Sequence, residues 1–243
     1  MGNKVDILGV NFSPMDIESS AEKIIEMTGE EGFHYVFTPN SEMVMAAVKD
    51  ENFKNILNSA NILTADGIGI VYASKILGRP ISQRASGYDI SLKLMERLAG
   101  TGKSFYFFGA SPGVAEKAKE NLLQKYPGII VSGTHDGYFD KEEEKKVIED
   151  INSKKPDILF VCLGSPKQEK WIFENRDKLS AKVAMGLGGC LDVYAGNVKR
   201  APDIFIKLGL EWFYRLIKEP KRFFRMLALP KFMIKVISHK IFN

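Results

Sequence analysis

Short apolar runs rich in β-branched and aromatic residues alternate with charged amphipathic stretches along most of the chain. The apolar runs cover residues 5–10, 33–37, 62–65, 104–108, 129–132, 158–163 and 183–187. The clearest amphipathic stretches of helical length are 16–28, 88–98, 114–125 and 141–152. This alternation is typical of an α/β fold, and it predicts a Rossmann-like, mostly parallel sheet with helices on both faces. Such sheets bind ligands at the carboxyl ends of their strands, so the strand-to-helix junctions are the candidate sites.

Two of these junctions share a pattern in which a strand is followed by Gly, Ser, Pro and a helix. They are YFFGASPG at residues 106–113 and FVCLGSPKQ at residues 160–168. Each serine is predicted to cap its helix, and proline suits the first helical turn. One interpretation is simply two well-formed helix starts. The other is a pair of anion sites that together hold a diphosphate, because free backbone N–H groups and the helix dipole favour phosphate.

Several familiar enzyme classes lack support. Residues 109–113 fit the GxSxG pattern of hydrolases, but Pro112 follows Ser111 and has no N–H to donate to an oxyanion. No GxGxxG or GxxxxGK[ST] pattern is present, which disfavours a NAD-type dehydrogenase and a P-loop enzyme. The three histidines are scattered and no DxD occurs, so we expect no metal site and no cofactor. A bound diphosphate would then be neutralised by Arg, Lys and helix dipoles.

Polar residues follow two of the predicted strands. Residues 37–40, FTPN, end one strand, and Asp66 lies between the next strand and a glycine-rich turn, in TADGIG. Asp66 has two interpretations: it caps the helix that begins near Gly67, or it is a carboxylate at the rim of the sheet that accepts a proton as a general base.

Composition and charge divide the chain of 243 residues. A hydrophobic content of 45% excludes disorder, two cysteines exclude a disulfide scaffold, and the longest stretch without a charge, 12 residues, is too short to span a membrane. Residues 199–243 hold 11 of the 34 Lys and Arg residues but only three of the 30 Asp and Glu residues. We therefore predict an α/β domain over residues 1–198 and a basic amphipathic C-terminal appendage over residues 199–243 that meets an anionic partner.

The appendage is divided by three prolines, and its first segment, residues 203–219, is predicted to form one amphipathic helix with a wide apolar face. Three roles stay open for its apolar residues: packing on the body, an anchor on an anionic membrane surface, or an interface in a homo-oligomer. Nucleic-acid binding is disfavoured, because branched aliphatic residues outnumber stacking aromatic ones.

Longer strings identify a family. FTPNSEM, TADGIGIVYA, RASGYD, FFGASPGVAEKA, HDGYF, PDILFVCLGSPKQEKWI, GLGGCLDVYAGNVKRAP and GLEWFYRLIKEPKRFFR occur in this order between about residues 5 and 225. Together they resemble the WecG/TagA/CpsF family of bacterial glycosyltransferases, and within it the wall teichoic acid branch.

The resemblance implies an inverting transfer of N-acetylmannosamine from UDP-N-acetylmannosamine. The acceptor is the 4-hydroxyl of N-acetylglucosaminyl-diphospho-undecaprenol, and the product is the β-1,4 linkage unit of wall teichoic acid. Two alternatives stay open: the same reaction with UDP-N-acetylmannosaminuronic acid, and a regulator that binds a nucleotide sugar without catalysis. The enzyme is expected in the cytoplasm, peripheral on the inner face of the cell membrane.

The resemblance also implies roles for individual residues. Asp66 is the implied base, and Thr38 and Gln168 complete the catalytic set. Implied substrate-binding residues are Asn40 and Arg84 beside the sugar, the junction residues Gly109, Ser111, Gly113, Gly164 and Ser165 around the UDP, and Tyr138 stacked on uracil. From the appendage, Arg215, Arg222 and Arg225 are expected to clamp a diphosphate, because the planar guanidinium fork suits phosphate.

Overall fold

The computed structural model describes residues 4–218 and 227–242, without the side chains of Asp203, Lys207 and Arg215. Its main sheet has six strands in the order β4-β3-β8-β7-β5-β6, and every pairing between them is parallel. These strands are β3 (His34–Phe37), β4 (Ile62–Leu63), β5 (Ser104–Gly109), β6 (Ile130–His135), β7 (Ile158–Cys162) and β8 (Val183–Gly186). The predicted α/β architecture with a parallel sheet is confirmed.

The first apolar run is not one strand, and in this respect the prediction is wrong. It forms an antiparallel hairpin of β1 (Val5–Ile7) and β2 (Val10–Phe12), separate from the main sheet. Leu8 and Gly9 reverse the chain, and both have left-handed backbone angles, with φ of 56° and 86°. Two consecutive residues with positive φ are the geometry of the tightest hairpin turn.

Twelve helices are described, and the four amphipathic stretches named above all fold as helices. They are α1 (Ile17–Met27), α2 (Ser41–Ala47), α3 (Glu51–Asn58), α4 (Ile68–Ile76), α5 (Gly87–Leu98), α6 (Val114–Lys125), α7 (Lys141–Lys154), α8 (Lys167–Asn175), α9 (Cys190–Tyr194), α10 (Asp203–Lys207), α11 (Glu211–Lys218) and α12 (Ala228–Phe242). Side-chain caps at Asp16, Asn40, Asp50, Ser86 and Asp140 accept backbone N–H groups in the first turns, which fixes where five of these helices begin.

Alternating side chains of the strands build a hydrophobic core on each face of the sheet. On one face Phe37, Tyr106 and Val161 pack with the β1–β2 hairpin and with α2, α3, α4, α7, α8 and α12. On the other face Val36 and Phe107 pack with α1, α5, α6 and α9. Both faces of each central strand are therefore buried, as parallel sheets require, and only the strand ends remain free for a ligand.

The described part of the appendage departs from the single helix predicted over residues 203–219. The chain forms α10 and α11, and Gly209 between them has a φ of 70°. Residue 219 lies outside the described residues. Helix α12 packs against α2 and α4, and its Phe232 and Val236 are fully buried in the core. Packing on the body, one of the three open roles, thus accounts for one face of α12.

Candidate active site

The carboxyl ends of β3 and β4 are joined by backbone hydrogen bonds that bring the predicted catalytic residues to one place. The N–H of Thr64 donates to Phe37 at 3.1 Å, and the N–H of Asp66 donates to Pro39 at 3.2 Å. The segment before α5 joins them, because the Ala85 N–H donates to the Ala65 carbonyl at 3.0 Å. Three chain segments that are distant in sequence therefore meet at this rim.

Asp66 is half-buried at this rim and directly precedes the N-cap residue of α4. Helix α4 has Gly67 as its N-cap, with a φ of 103° and no side-chain cap. The charge of Asp66 acts on Arg84: burial alone would lower the pKa of Arg84, but Asp66, Glu211 and Asp89 outweigh it and raise that pKa. The Asp66 carboxylate therefore lies near a mostly buried cation at the rim, and its role as a general base stays a prediction.

Thr38 and Asn40 lie beside this carboxylate. The Thr38 hydroxyl packs against Gly87 so closely that a Cβ there would lie 2.9 Å from it. Asn40 faces Gly67, and its Oδ1 accepts the Met43 N–H at 3.1 Å as the cap of α2. Thr38 and Asn40 therefore lie at the same part of the rim as the Asp66 and Arg84 segments, and part of the Asn40 side chain is committed to its helix.

Arg84 belongs to a chain of ion pairs that reaches the appendage. Its Nη2 donates to Asp89 at 3.0 Å and its Nη1 donates to Glu211 of α11 at 2.5 Å. The other oxygen of Asp89 accepts from Arg200 at 2.6 Å. The Arg200 guanidinium also lies 4.5 Å from the ring centre of Tyr88. The four charged side chains are mostly buried, so solvent screens their interactions weakly.

A cavity of about 500 Å³ opens at the carboxyl ends of β5, β6 and β7. It is lined by Ala110, Ser111, Gly137, Tyr138, Phe139, Cys162, Leu163, Lys167 and Asp192. The two Gly-Ser-Pro junctions flank it on neighbouring strands, because β5 pairs directly with β7. The two junctions therefore lie side by side, as a shared diphosphate site would require.

Backbone angles and close contacts explain why glycine occupies positions in these junctions. Gly109 has a φ of 127°, and a Cβ there would lie 2.4 Å from the Cys162 carbonyl oxygen. Gly113 and Gly164 also have positive φ, of 81° and 77°, but have open space around them. Only at Gly109 does a neighbouring strand forbid any side chain.

The prediction that Ser111 and Ser165 cap α6 and α8 is wrong. The N-cap residues are Gly113 and Pro166, and neither helix has a side-chain cap. Each helix begins one or two residues later than the sequence pattern indicates, which leaves both serines exposed at the rim. Neither hydroxyl caps its helix, and the side chain of Ser165 instead hydrogen-bonds the Glu169 carboxyl in the first turn of α8.

Gln168 lies between the two halves of the rim and is buried, at 4% exposure. Its Oε1 accepts the Gly188 N–H at 2.9 Å, and its Nε2 donates to Glu169 Oε1 at 2.7 Å. Glu169 is fully buried, and burial raises the pKa of its carboxyl against the opposing effect of the hydrogen bond from Gln168. Gln168 thus braces the turn after β8 from within the protein.

Sequence reasoning did not single out three charged residues of the site. Lys167 lines the cavity, donates to the Gly137 carbonyl at 3.2 Å, and lies 4.4 Å from the Phe139 ring centre. Asp192 is the acidic residue of the cavity wall. Glu211 reaches Arg84 from the appendage. All three residues stand inside quoted strings, but nothing in the sequence indicates that Glu211 contacts Arg84.

Other expectations are settled only in part. Arg222 and Arg225 lie outside the described residues, and so does the side chain of Arg215. Among the described side chains, no group of three or more His, Cys, Asp or Glu residues is arranged to hold a metal ion. Within residues 4–218 and 227–242, every helix is too short or too polar to cross a membrane.

Comparison with known proteins decides the family. Residues 5–243 match the profile of the glycosyl transferase WecG/TagA/CpsF family. The chain belongs to this family. The resemblance inferred from the quoted strings is therefore confirmed, and this glycosyltransferase family matches almost the whole chain.

Relatives within the family have curated names. A protein of Staphylococcus aureus is 37% identical over 239 residues, which is 98% of this chain and 93% of the relative. A protein of Bacillus spizizenii is 38% identical over 206 residues, which is 85% of this chain and 79% of the relative. Both are named N-acetylglucosaminyldiphosphoundecaprenol N-acetyl-beta-D-mannosaminyltransferase.

Proposed function

We propose that this chain transfers N-acetylmannosamine from UDP-N-acetylmannosamine to the 4-hydroxyl of N-acetylglucosaminyl-diphospho-undecaprenol, with inversion and formation of a β-1,4 bond. The observation that carries the proposal is the single rim that holds both Asp66 and the cavity, in a chain of this family. The names of the relatives supply the sugar and the lipid acceptor.

The donor fits along the rim with its nucleotide over β5–β7 and its sugar over β3 and β4. Strands β7 and β3 are two steps apart in the sheet, roughly 10 Å at the usual strand spacing. The uracil stacks on exposed Tyr138, and Asp192 accepts hydrogen bonds from the ribose, as a carboxylate does in other nucleotide sites. The diphosphate meets the N–H groups at the starts of α6 and α8 beside Gly109, Ser111, Gly113, Gly164 and Ser165.

The chemical step is one in-line displacement. The acceptor oxygen attacks the anomeric carbon, the bond from that carbon to the UDP oxygen breaks, and its electron pair leaves with UDP. Asp66 takes the proton of the attacking hydroxyl, which requires it to lie within hydrogen-bond reach of that hydroxyl. Arg84, Lys167 and the helix starts stabilise the charge that grows on the leaving group. Thr38, Asn40 and Gln168 hold the sugar and the turns around it.

The appendage places the enzyme at its lipid substrate. Apolar side chains are exposed on α10, α11, α12 and the turn after α10: Ile204, Leu208, Phe213, Ile217, Ile234, Ile237, Ile241 and Phe242. Lys231, Lys235 and Lys240 lie on the same α12 and favour an anionic membrane surface. We place the enzyme on the cytoplasmic face of the cell membrane, with Arg215, Arg222 and Arg225 on a diphosphate. A homo-oligomer that buries the same apolar faces in solution is compatible with this proposal.

The test is a transfer assay with purified protein, a short-chain lipid acceptor and EDTA, with UDP release as the readout. We expect release with UDP-N-acetylmannosamine that depends on the acceptor. If UDP is released only from the uronic acid donor, N-acetylmannosaminuronic acid replaces N-acetylmannosamine in the proposal. Loss of activity in EDTA would contradict a reaction that needs no metal ion. If UDP raises the melting temperature but no donor is consumed, the protein is instead a regulator that binds a nucleotide sugar without catalysis. NAD should not raise the melting temperature.

A further inference from the structure

The turn after β8 lies in the middle of the rim. In the sheet, β8 stands between β3 and β7, so this turn separates the residues around Asp66 from the cavity. Leu187, where the turn begins, packs so closely on Gly87 that a Cβ at Gly87 would lie 2.9 Å from the leucine Cδ2. Asp192, in the helix α9 that follows the turn, lines the cavity. The turn is therefore continuous with both halves of the rim.

Glycines form the centre of this turn. Gly188 has a φ of 56°, and a Cβ added at Gly188 or at Gly189 would have no atom within 4 Å. Packing of side chains therefore does not hold the centre of the turn in place. A hydrogen bond from a neighbouring helix does so instead, because the Gly188 N–H donates to Gln168 Oε1 at 2.9 Å.

The Gln168 amide is held in one orientation by two partners. The Gly188 N–H can only donate, so it needs the oxygen end of the amide. The nitrogen end donates to Glu169 Oε1 at 2.7 Å. If the amide turned over, its nitrogen would face the Gly188 N–H, donor against donor. Glu169 therefore supplies the acceptor that keeps the Gln168 oxygen on the turn.

The surroundings of Glu169 suit this task. The side chain is fully buried, and burial raises the pKa of its carboxyl, which favours the neutral form that costs less to bury. Gly186 of β8 leaves room for the pair, because a Cβ there would lie 2.9 Å from Gln168 Nε2 and 3.3 Å from Glu169 Oε1. Gly186 has no left-handed φ, so this close approach is the reason for a glycine at the position.

We propose that Glu169 is a positioning residue that holds the turn after β8, through the Gln168 amide, in register with both halves of the rim. Glu169 does not touch the substrate in this proposal. It acts on Gln168, Gln168 acts on the Gly188 N–H, and the turn sets how the donor sugar over β3 and β4 is aligned with the nucleotide over β5–β7. The inference rests on the proposed function, because it assigns a positioning residue for the same reaction.

Two substitutions break the link from different sides. Glu169→Met keeps an unbranched side chain of similar length that suits a buried site, but it offers Gln168 no carboxyl oxygen. Gly186→Ala pushes the Gln168 amide aside and leaves Glu169 unaltered. Glu169→Gln is the conservative variant, because its amide oxygen still accepts from Gln168. A residue that only filled space would tolerate methionine as well as glutamine.

The matched control is Asn175→Leu. Asn175 lies at the far end of the same helix α8, is 4% exposed, and donates from Nδ2 to the Trp171 carbonyl at 3.1 Å. The substitution also replaces a buried polar side chain of α8 by an apolar one, but away from the rim. We expect it to lower the melting temperature and to leave kcat and the turn after β8 unchanged.

The first measurement is steady-state transfer with the full chain, together with UDP affinity by titration. For Glu169→Met and for Gly186→Ala we expect kcat to fall roughly 5- to 50-fold, the range for a buried hydrogen-bonding group that loses its partner. UDP affinity should change less than about threefold, because the cavity still holds the nucleotide. Glu169→Gln should stay within a few-fold of the unaltered protein. An unchanged kcat in Glu169→Met, an equal loss in Glu169→Gln, or an equal loss in Asn175→Leu would overturn the inference.

The second measurement does not depend on activity. Hydrogen exchange of the Gly188 amide, followed by NMR, should become at least about fivefold faster in Glu169→Met and in Gly186→Ala. It should stay unchanged in Glu169→Gln and in Asn175→Leu. Unchanged exchange at Gly188 in Glu169→Met would overturn the inference even if the protein transferred no sugar. If the unaltered protein releases no UDP but Gly188 responds as expected, the proposed function fails and the link from Glu169 to the turn stands.

Discussion

The carboxyl edge of the sheet has two halves that are built from different groups. Around β5–β7 the lining is largely backbone, small side chains and rings, with Gly109 fitted against the carbonyl of the neighbouring strand. Around β3 and β4 it is a set of paired charges in which Arg84 meets Asp66, Asp89 and Glu211. In the proposed function the first half receives the nucleotide, whereas the second half holds the carboxylate that takes the proton.

This difference predicts that the two halves fail in different ways. Changes to the shape or the aromatic rings of the half around β5–β7 should mainly weaken binding of UDP. Changes in the half around β3 and β4 should leave UDP affinity nearly unchanged and lower turnover. The predictions below test that separation from the largest expected effect to the smallest.

Gly109→Ala should have the largest effect in the cavity half. The new Cβ would meet the Cys162 carbonyl oxygen at 2.4 Å in a backbone with a φ of 127°. We expect UDP affinity to fall at least tenfold and the free energy of unfolding to fall by roughly 3 kcal/mol, from strain and overpacking together. Isothermal titration with UDP and chemical denaturation measure the two effects.

Gly113→Ala is the matched control for this change. Its φ is also positive, at 81°, but no atom lies within 4 Å of the added Cβ. Only the backbone strain remains, roughly 1 kcal/mol. If the two alanine variants lose equal stability and equal UDP affinity, close approach of β7 is not what shapes the cavity.

Tyr138→Ala should have an intermediate effect. The ring is 69% exposed beside the cavity, so its removal costs little stability and deprives uracil of a stacking partner. We expect a fall in UDP affinity of up to about tenfold, the range of aromatic stacking, with Tyr138→Phe close to the unaltered protein. A UDP affinity of Tyr138→Ala equal to that of the unaltered protein would mean that uracil does not stack on this ring.

Glu169→Gln should have the smallest effect, and its effect on the melting temperature should depend on pH. Because the pKa of Glu169 is raised in the folded state, its stabilising contribution is present below its ordinary value of 4.5 and is lost as pH rises through the folded pKa. The amide has no such dependence. The melting temperature of the variant minus that of the unaltered protein should therefore grow as the pH rises above 4.5.

The outcome for Glu169→Gln bears on the centre of the rim. The amide oxygen can still accept from Gln168, so UDP release should stay within a few-fold of the unaltered enzyme. A severe loss of activity would mean that turnover needs the carboxyl group of Glu169 itself, beyond its hydrogen bond with Gln168.

Much of the fold follows from the periodicity of the chain. Runs of apolar residues give strands buried on both faces, and the amphipathic stretches between them have to cover the sheet. The β1–β2 hairpin was not predicted because its turn contains Leu8. Leucine has no preference for positive φ, yet the φ of Leu8 is 56°. The prediction of a single helix over residues 203–219 did not take account of Gly209, which has a φ of 70° and follows α10.

The sequence pointed to several polar residues of the candidate site, but it did not predict the contacts between them. Asp66 and Thr38 stand near strand ends, and parallel strands bring such ends to one edge. Arg84 lies between α4 and α5 and was implied by the resemblance alone. The pairing of Arg84 with Glu211 joins residues 127 positions apart, and one sequence contains no signal for a contact of that range. The serines at the two junctions looked like caps because spacing alone does not show at which residue a helix begins.

Asp66→Asn tests the central claim most directly, because it changes one carboxylate of the charged half and nothing in the cavity. Turnover at saturating donor and acceptor should be measured beside UDP affinity on the same preparation. We predict that turnover falls by roughly 10²- to 10⁴-fold while UDP affinity stays within about twofold. Near-full turnover, or a parallel loss of UDP binding, would contradict the assignment of Asp66 as the base at this rim.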